Sequence, residues 1–312
     1  MHYKANGKLL LTGEYFVLNG ALSLALPAQK GQSLSVVEEP FSQPILKWEA
    51  YNRLGRIWIA TILLLPNLSV LACKERSRKQ VNKLQNILMQ AKLLNPKFLS
   101  NPQQTISIKT NLEFSEEWGL GTSSTLIYNV AKWADVDPFV LNHISFNGSG
   151  YDIACADAKS AIYYQLQNNK PFIKPAPFNP PFAKNLYFVY LRFKKDTRQG
   201  ITHYQKYEPK PQIIDQLSDI TRSVGRCKRL DTFEELMTEH ESIISTELQL
   251  KKASSIHFPD YPFGVIKSLG AWGGDFVLAS SSESEKVTKA YFASKGFTTV
   301  IKYNDMVLMS DD

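Results

Sequence analysis

The chain has 312 residues, of which 36 are Lys or Arg and 29 are Asp or Glu, for a formal charge of +7. Hydrophobic residues make up 44% and charged residues 21%, and the 17 Phe, 14 Tyr and 5 Trp exclude a disordered chain. The length suits two domains or one large one, and the positive surplus favours anionic partners: nucleic acid, a membrane surface or a phosphorylated metabolite.

The first third reads as strands at residues 8–11, 21–26, 33–37, 45–49 and 56–64, divided by Pro, Gly and Asn. An apolar run over residues 57–73 approaches the length of a membrane span. Pro66-Asn67 at its middle makes it instead two strands joined by a turn. From Ser77 the period changes. Val81, Leu84, Leu88, Ala91 and Leu94 recur at three- and four-residue steps, which predicts an amphipathic helix capped by Ser77 and stopped by Pro96. Ile106 and Ile108 alternate in a further strand, which leads to a Gly-rich turn at Gly119 and a helix reaching about Ala134.

A second Gly-rich turn, Asn147-Gly148-Ser149-Gly150, opens a helix at Tyr151. The Pro-rich stretch 171–181 marks the expected domain boundary, giving domains 1–175 and 176–312. A strand at 186–193, helices near 212–224 and 232–250, and a third Gly-rich turn at Gly270 follow. A strand at 276–279, a helix at 283–295 and two short final strands end the chain. Cys73, Cys155 and Cys227 are odd in number, far apart and without metal-ligand spacing, so they read as free thiols in a reducing compartment. With no signal-peptide pattern at the N-terminus, a soluble cytoplasmic protein is expected.

The chemistry concentrates in the Gly-rich turns. In Trp118-Gly119-Leu120-Gly121-Thr122-Ser123-Ser124-Thr125, small residues let the backbone approach a phosphate, and the helix that follows aims its free amides at it. The hydroxyls of Thr122, Ser123 and Ser124 suit phosphate oxygens or magnesium. Without a lysine in the turn, it is not the GxxxxGK[ST] phosphate loop. Taken alone, such a turn is more often a plain helix cap. The basic run Lys74-Glu75-Arg76-Ser77-Arg78-Lys79 contains an acid and no interleaved aromatic platform, so it reads as a solvated helix face and not as a nucleic-acid site.

Four segments occur in a telling order: Ala5-Asn6-Gly7-Lys8 with Thr12-Gly13-Glu14-Tyr15, the Gly119 turn, Gly148-Ser149-Gly150-Tyr151-Asp152, and Gly270-Ala271-Trp272-Gly273-Gly274-Asp275. Together they resemble the GHMP kinase superfamily nearly end to end, most closely its mevalonate and phosphomevalonate kinases. Gly150-Tyr151-Asp152-Ile153-Ala154 resembles the bacterial branch named after that string. The resemblance implies an α+β fold with a ribosomal-protein-like N-terminal domain, a ferredoxin-like C-terminal domain and the active site in the cleft between them. It also implies ATP and magnesium as cofactors, and a small anionic substrate, phosphomevalonate before mevalonate, in isoprenoid synthesis. Homoserine or a sugar as acceptor, and a non-catalytic binding protein on the same fold, are the other readings. No nucleic acid or membrane partner is expected, and the chain would act as a monomer or homodimer.

Residue by residue, Asp152 matches the aspartate that takes the acceptor's proton, and Lys8 the lysine beside it and the γ-phosphate. Gly119, Leu120, Gly121, Thr122, Ser123 and Ser124 match the turn that wraps the nucleotide phosphates. Ser123 and Glu14 are the expected magnesium-side residues. Gly150, Tyr151, Gly273 and Gly274 fall on the substrate side. Arg198, after Lys194, Lys195 and Thr197, could clamp a carboxylate or phosphate. The sequence departs from the family where Asn6 and Ser115 replace Pro, and where Trp272 replaces a Gly and would put a large ring where close approach is needed. At Leu141 it lacks the glutamate with which mevalonate kinases bind magnesium.

Overall fold

In the computed structural model, residues 1–40, 43–192, 204, 207–270, 272 and 274–309 are described. The chain forms two compact units. The first comprises Met1–Gly7, Lys30–Glu116 and Leu120–Asp157; the second comprises Lys8–Gln29, Glu117–Gly119 and Ala158–Asp312. No single cut of the sequence produces them, because the long strands β1 (His2–Thr12) and β2 (Ser23–Pro40) pass from one unit into the other. The Pro-rich stretch expected at the boundary lies inside the second unit, where its first residues complete a strand.

In the first unit, the later part of β2 pairs antiparallel with β6 (Gln104–Leu112), from Gln32 opposite Leu112 to Pro40 opposite Gln104. Strand β3 (Ile45–Tyr51) lies parallel to β6, and β4 (Ile57–Leu64) and β5 (Val70–Cys73) extend the sheet antiparallel. The apolar run 57–73 is therefore two strands around a turn. Among the described residues no helix is long and apolar enough to cross a membrane. A parallel pair needs a crossover, and β4, β5 and α1 (Arg78–Leu94) supply it. Val81, Leu84, Leu88 and Ala91 bury the predicted helical stripe, joined by Ile87, while Leu94 is 38% exposed past its end. Ser77 does not cap α1 through its side chain; its hydroxyl donates to the carbonyl of Lys74 at 2.9 Å. Helices α2 (Thr122–Ala134), α3 (Pro138–Phe146) and α4 (Tyr151–Ala156) share the core formed by Trp48, Leu63, Leu88, Ile106 and Ile108. Helix α3 was not expected; Asp137 caps it and Pro138 opens it.

In the second unit, Ser23–Ala25 of β2 pair with β7 (Ile162–Gln167), which forms a hairpin with β8 (Lys170–Pro175). A separate antiparallel sheet contains β9 (Leu186–Tyr190), β10 (Ile266–Ser268), β11 (Phe276–Ser280) and β12 (Val300–Lys302) in the spatial order β12-β9-β11-β10. Helices α5 (Pro211–Arg226), α6 (Leu230–Leu248) and α7 (Ala253–His257) separate β9 from β10, and α8 (Glu285–Ser294) separates β11 from β12. That order and succession is the ferredoxin-like arrangement implied by the family resemblance. After β12 comes a short helix, α9 (Tyr303–Met306), and then an isolated bridge from Val307 to Ala28, where a second strand was expected. Cys155 and Cys227 are buried and Cys73 half-buried, all as free thiols.

Candidate active site

The turn before α2 depends on backbone that only glycine adopts without strain. Gly119 has φ +62° and Gly121 φ +95°. Gly121 is the N-cap of α2, and its carbonyl accepts the hydroxyls of Ser124 and Thr125 at 3.0 Å each. Thr125 also donates to Oε1 of buried Gln32 at 2.7 Å, and Asn129 donates to the Gln32 carbonyl at 2.9 Å, which fastens α2 to β2. Ser124 and Leu120 are thus buried and committed to the protein, whereas Ser123 is exposed and Thr122 half-exposed at the helix start. The second site helix is α4. Gly150 (φ +88°) is its N-cap, and Asp152 stands in its first turn, where Oδ1 accepts from the Ile153 amide at 3.1 Å. Ile153 is buried in the same core as Ile127 and Val130 of α2, so the packing that holds α2 also holds the helix bearing Asp152. Tyr151 is half-buried beside it.

In the second unit, residues from the N-terminal segment, the Gly119 turn and the third Gly-rich segment converge. The Lys8 ammonium donates to the carbonyl of Gly119 at 2.7 Å. A Cβ placed on Gly119 would lie 1.7 Å from Oδ2 of Asp275, so the aspartate ending the third motif rests against this glycine. The segment entering the turn is held by aromatics absent from the expected site. The Trp118 ring meets Phe276 edge-on at 5.7 Å and Tyr190 at 6.4 Å, and the Tyr190 hydroxyl donates to the Glu117 carbonyl at 3.2 Å. Tyr190 and Phe276 are buried partners on neighbouring strands β9 and β11, a juxtaposition that no local sequence signal carries.

Glu14, expected beside a metal, is fully buried in the second unit and ion-paired with Lys267, itself 1% exposed. Nε2 of buried His240 accepts from the Gly13 amide at 2.9 Å and lies 3.6 Å from the other Glu14 oxygen. An accepting Nε2 leaves the proton of neutral His240 on Nδ1. Burial pushes the Glu14 carboxyl up to about 7 against the opposing pull of Lys267. Burial, with Lys267 adding to it, holds His240 well below the usual imidazole range. These surroundings make Glu14 an internal counter-ion of Lys267.

The Trp272 ring does not crowd its own turn. It is buried in a cluster with Tyr15, Phe16, Tyr204 and Leu248, and its indole N–H donates to the Lys251 carbonyl at 2.9 Å. Gly274 is buried. Arg198 and Gly273, with Lys194, Lys195 and Thr197, lie outside the described residues.

The start of α2 fits a nucleotide's phosphates: left-handed glycines leave the backbone bare, and two hydroxyls stand at the positive end of a helix. Magnesium in such sites takes one or two protein oxygens and completes its shell with phosphate and water, which the hydroxyls of Thr122 and Ser123 can satisfy. Among the described residues no group of three or more His, Cys, Asp or Glu could hold a metal on its own.

No protein-family model and no curated protein sequence matches the chain. Solved structures do. The mevalonate kinase of Methanococcus jannaschii superimposes with a TM-score of 0.72 at 17% identity, over 99% of this chain and 98% of that one. The Streptococcus pneumoniae phosphomevalonate kinase in complex with phosphomevalonate and AMPPNP gives 0.67 at 16%, over 97% and 99%. Lactococcus lactis galactokinase complexed with galactose gives 0.63 at 11%, over 99% and 93%. The chain has the fold of the GHMP kinases throughout its length. At these identities the likeness reaches the fold and stops short of the substrate.

Proposed function

We propose that the protein is an ATP- and magnesium-dependent kinase of a small anionic metabolite, with phosphomevalonate as its acceptor and a place in isoprenoid synthesis. The observation that carries this reading is the meeting of Lys8, Gly119 and Asp275, drawn from three separated motifs, around one glycine turn. The choice of phosphomevalonate is supported by the Gly-Glu-Tyr, Gly-Ser-Gly-Tyr-Asp and Gly-Gly-Asp strings, and by the positive net charge.

In this reading Gly119, Gly121, Thr122 and Ser123 hold the nucleotide phosphates, with Ser123 on the magnesium side. Bound magnesium–ATP supplies the phosphoryl group and metal charge. Lys8 places a cation where negative charge develops, which is the main demand of a loose phosphoryl-transfer transition state. Asp152 faces the acceptor. A hydroxyl acceptor would give its proton to the Asp152 carboxylate. A phosphate monoester is already largely ionised at neutral pH, so with phosphomevalonate Asp152 orients the attacking oxygen and need not remove a proton.

A coupled assay of ADP release with mevalonate, phosphomevalonate, homoserine and galactose tests the proposal. Turnover is expected with phosphomevalonate, and Asp152→Asn, which removes the charge that orients the attacking oxygen, should lower it by roughly 10²-fold while nucleotide binding persists. Turnover with mevalonate, homoserine or galactose alone would reassign the acceptor. Nucleotide binding without turnover, unaffected by Asp152→Asn, would favour a binding protein on this fold.

A further inference from the structure

Two described residues at the third Gly-rich segment, Lys267 before it and Trp272 within it, are each fastened, and the fastenings lead to the first motif. On the β10 side, the Lys267 ammonium pairs with Glu14 and also donates to the Ser268 carbonyl at 2.9 Å. The next amide, that of Ser268, donates to Oε1 of buried Glu241 at 2.8 Å. Glu241 follows His240 on α6, and His240 accepts from the amide of Gly13. Two consecutive residues of one helix therefore hold the first motif and the strand entering the third.

On the far side, Trp272 sits with φ +54°, a conformation that favours glycine, and only strong anchoring keeps a Trp there. Its ring is 1% exposed and shares a cluster with Tyr15 and Phe16. The first turn is constrained in its own right. Gly13 has φ +85°, and a Cβ there would lie 2.1 Å from the Ser23 hydroxyl; Tyr15 has φ +61°. The Tyr15 ring stacks on Tyr204 at 5.7 Å.

We propose that Lys267 and Trp272 are positioning residues that couple the third Gly-rich segment to the Gly13–Phe16 turn, so that the two open and close as one unit. The Trp in place of glycine is the apolar half of this tie, and the Glu14–Lys267 pair is the ionic half. A glycine at 272 would suit the backbone and would remove the apolar half of this tie. The consequence for catalysis rests on the kinase reading, because the same unit carries Lys8, Gly119 and Asp275; the coupling itself does not.

Amide hydrogen exchange on the full chain without ligands tests the coupling directly. In Trp272→Leu, the amides of residues 13–18 should exchange roughly tenfold faster, the change that about 1.4 kcal/mol of lost local stability produces. Trp272→Phe, which keeps the buried ring and loses the indole N–H, should stay within about threefold of the parent chain. Acceleration confined to residues 266–276 would overturn the proposal.

Should Trp272→Leu fail to fold, exchange of the parent chain in low urea decides. Coupled turns converge on one opening free energy and one urea dependence, and separate values for residues 13–18 and 266–276 overturn the idea. If the chain is active, Trp272→Leu should raise the acceptor KM and lower kcat, with Trp272→Phe restoring both. If no acceptor is turned over, the kinase reading fails and the exchange result still stands on its own.

Discussion

The ammonium of Lys8 donates to the carbonyl oxygen of Gly119 at 2.7 Å, so the cation of the first motif touches the backbone of the second. Lys8 is half-buried on β1 and makes no large contribution to a core. Removing its charge should therefore separate catalysis from folding. Lys8→Met is expected to lower turnover by roughly 10²–10³-fold, the usual cost of one preorganised donor at developing negative charge. Its thermal midpoint should stay near that of the parent chain. Loss of activity accompanied by unfolding would make Lys8 a structural residue.

Gly119 has two separate reasons to be glycine. Its φ of +62° lies in the left-handed region, and Oδ2 of Asp275 occupies the place of its missing Cβ. Gly119→Ala should cost about 1–2 kcal/mol for the backbone alone, with a further loss as Asp275 is forced aside. In an Asp275→Ala background only the backbone share should remain. A urea-unfolding cycle over the four proteins reads that coupling as a difference, and perfect additivity would contradict the contact.

The sequence disclosed the motifs and most elements, because hydrophobic period and turn residues are local signals. The helical stripe of Val81, Leu84, Leu88 and Ala91 and the Pro66-Asn67 turn were legible for that reason. It did not disclose that β2 is one strand of 18 residues serving two units, since Pro27 and Gly31 resemble a break. Gly31 is needed there because a Cβ would lie 2.0 Å from the Ala5 carbonyl, a tertiary fact. Glu14 was legible as a special carboxylate but not as the partner of Lys267, which stands on β10 in the last fifth of the chain. Pairing across such separations leaves no periodic trace. Trp272 was misleading in the other direction: a bulky residue in a glycine motif reads as obstruction, whereas the ring turns into the core.

Helix α2 is seated on β2 through Gln32, 2% exposed, whose side-chain oxygen accepts from Thr125 and whose carbonyl accepts from Asn129. Thr125→Val keeps the shape and removes the donor, stranding a buried acceptor. The expected cost is about 1–3 kcal/mol in urea unfolding. Because the same helix starts at Gly121, nucleotide affinity should fall with it. Unchanged stability would mean that water or a rearranged Gln32 satisfies the oxygen.

His240 and Glu14 give the fold opposing responses to pH. His240 is held well below the ordinary imidazole value of 6.5 by burial first and by Lys267 second, so it stays neutral when folded. An unfolded chain binds a proton there below 6.5, and the native state therefore loses stability as pH falls through that value. Glu14 runs the other way. Burial raises its carboxyl from 4.5 to about 7, so its contribution is fully present below 4.5 and is lost as pH rises through 7. Between 4.5 and 6.5 the two slopes oppose each other in the parent chain. His240→Gln keeps an acceptor for the Gly13 amide and removes the titrating ring. Relative to the parent, the variant should gain up to about 1.4 kcal/mol per pH unit below 6.5. Taken alone, the remaining Glu14 contribution strengthens the variant as pH falls from 7 towards 4.5. Urea midpoints of both proteins at pH 7.5, 6.0 and 5.0 provide the comparison, and parallel profiles would show that His240 is not held neutral by the fold.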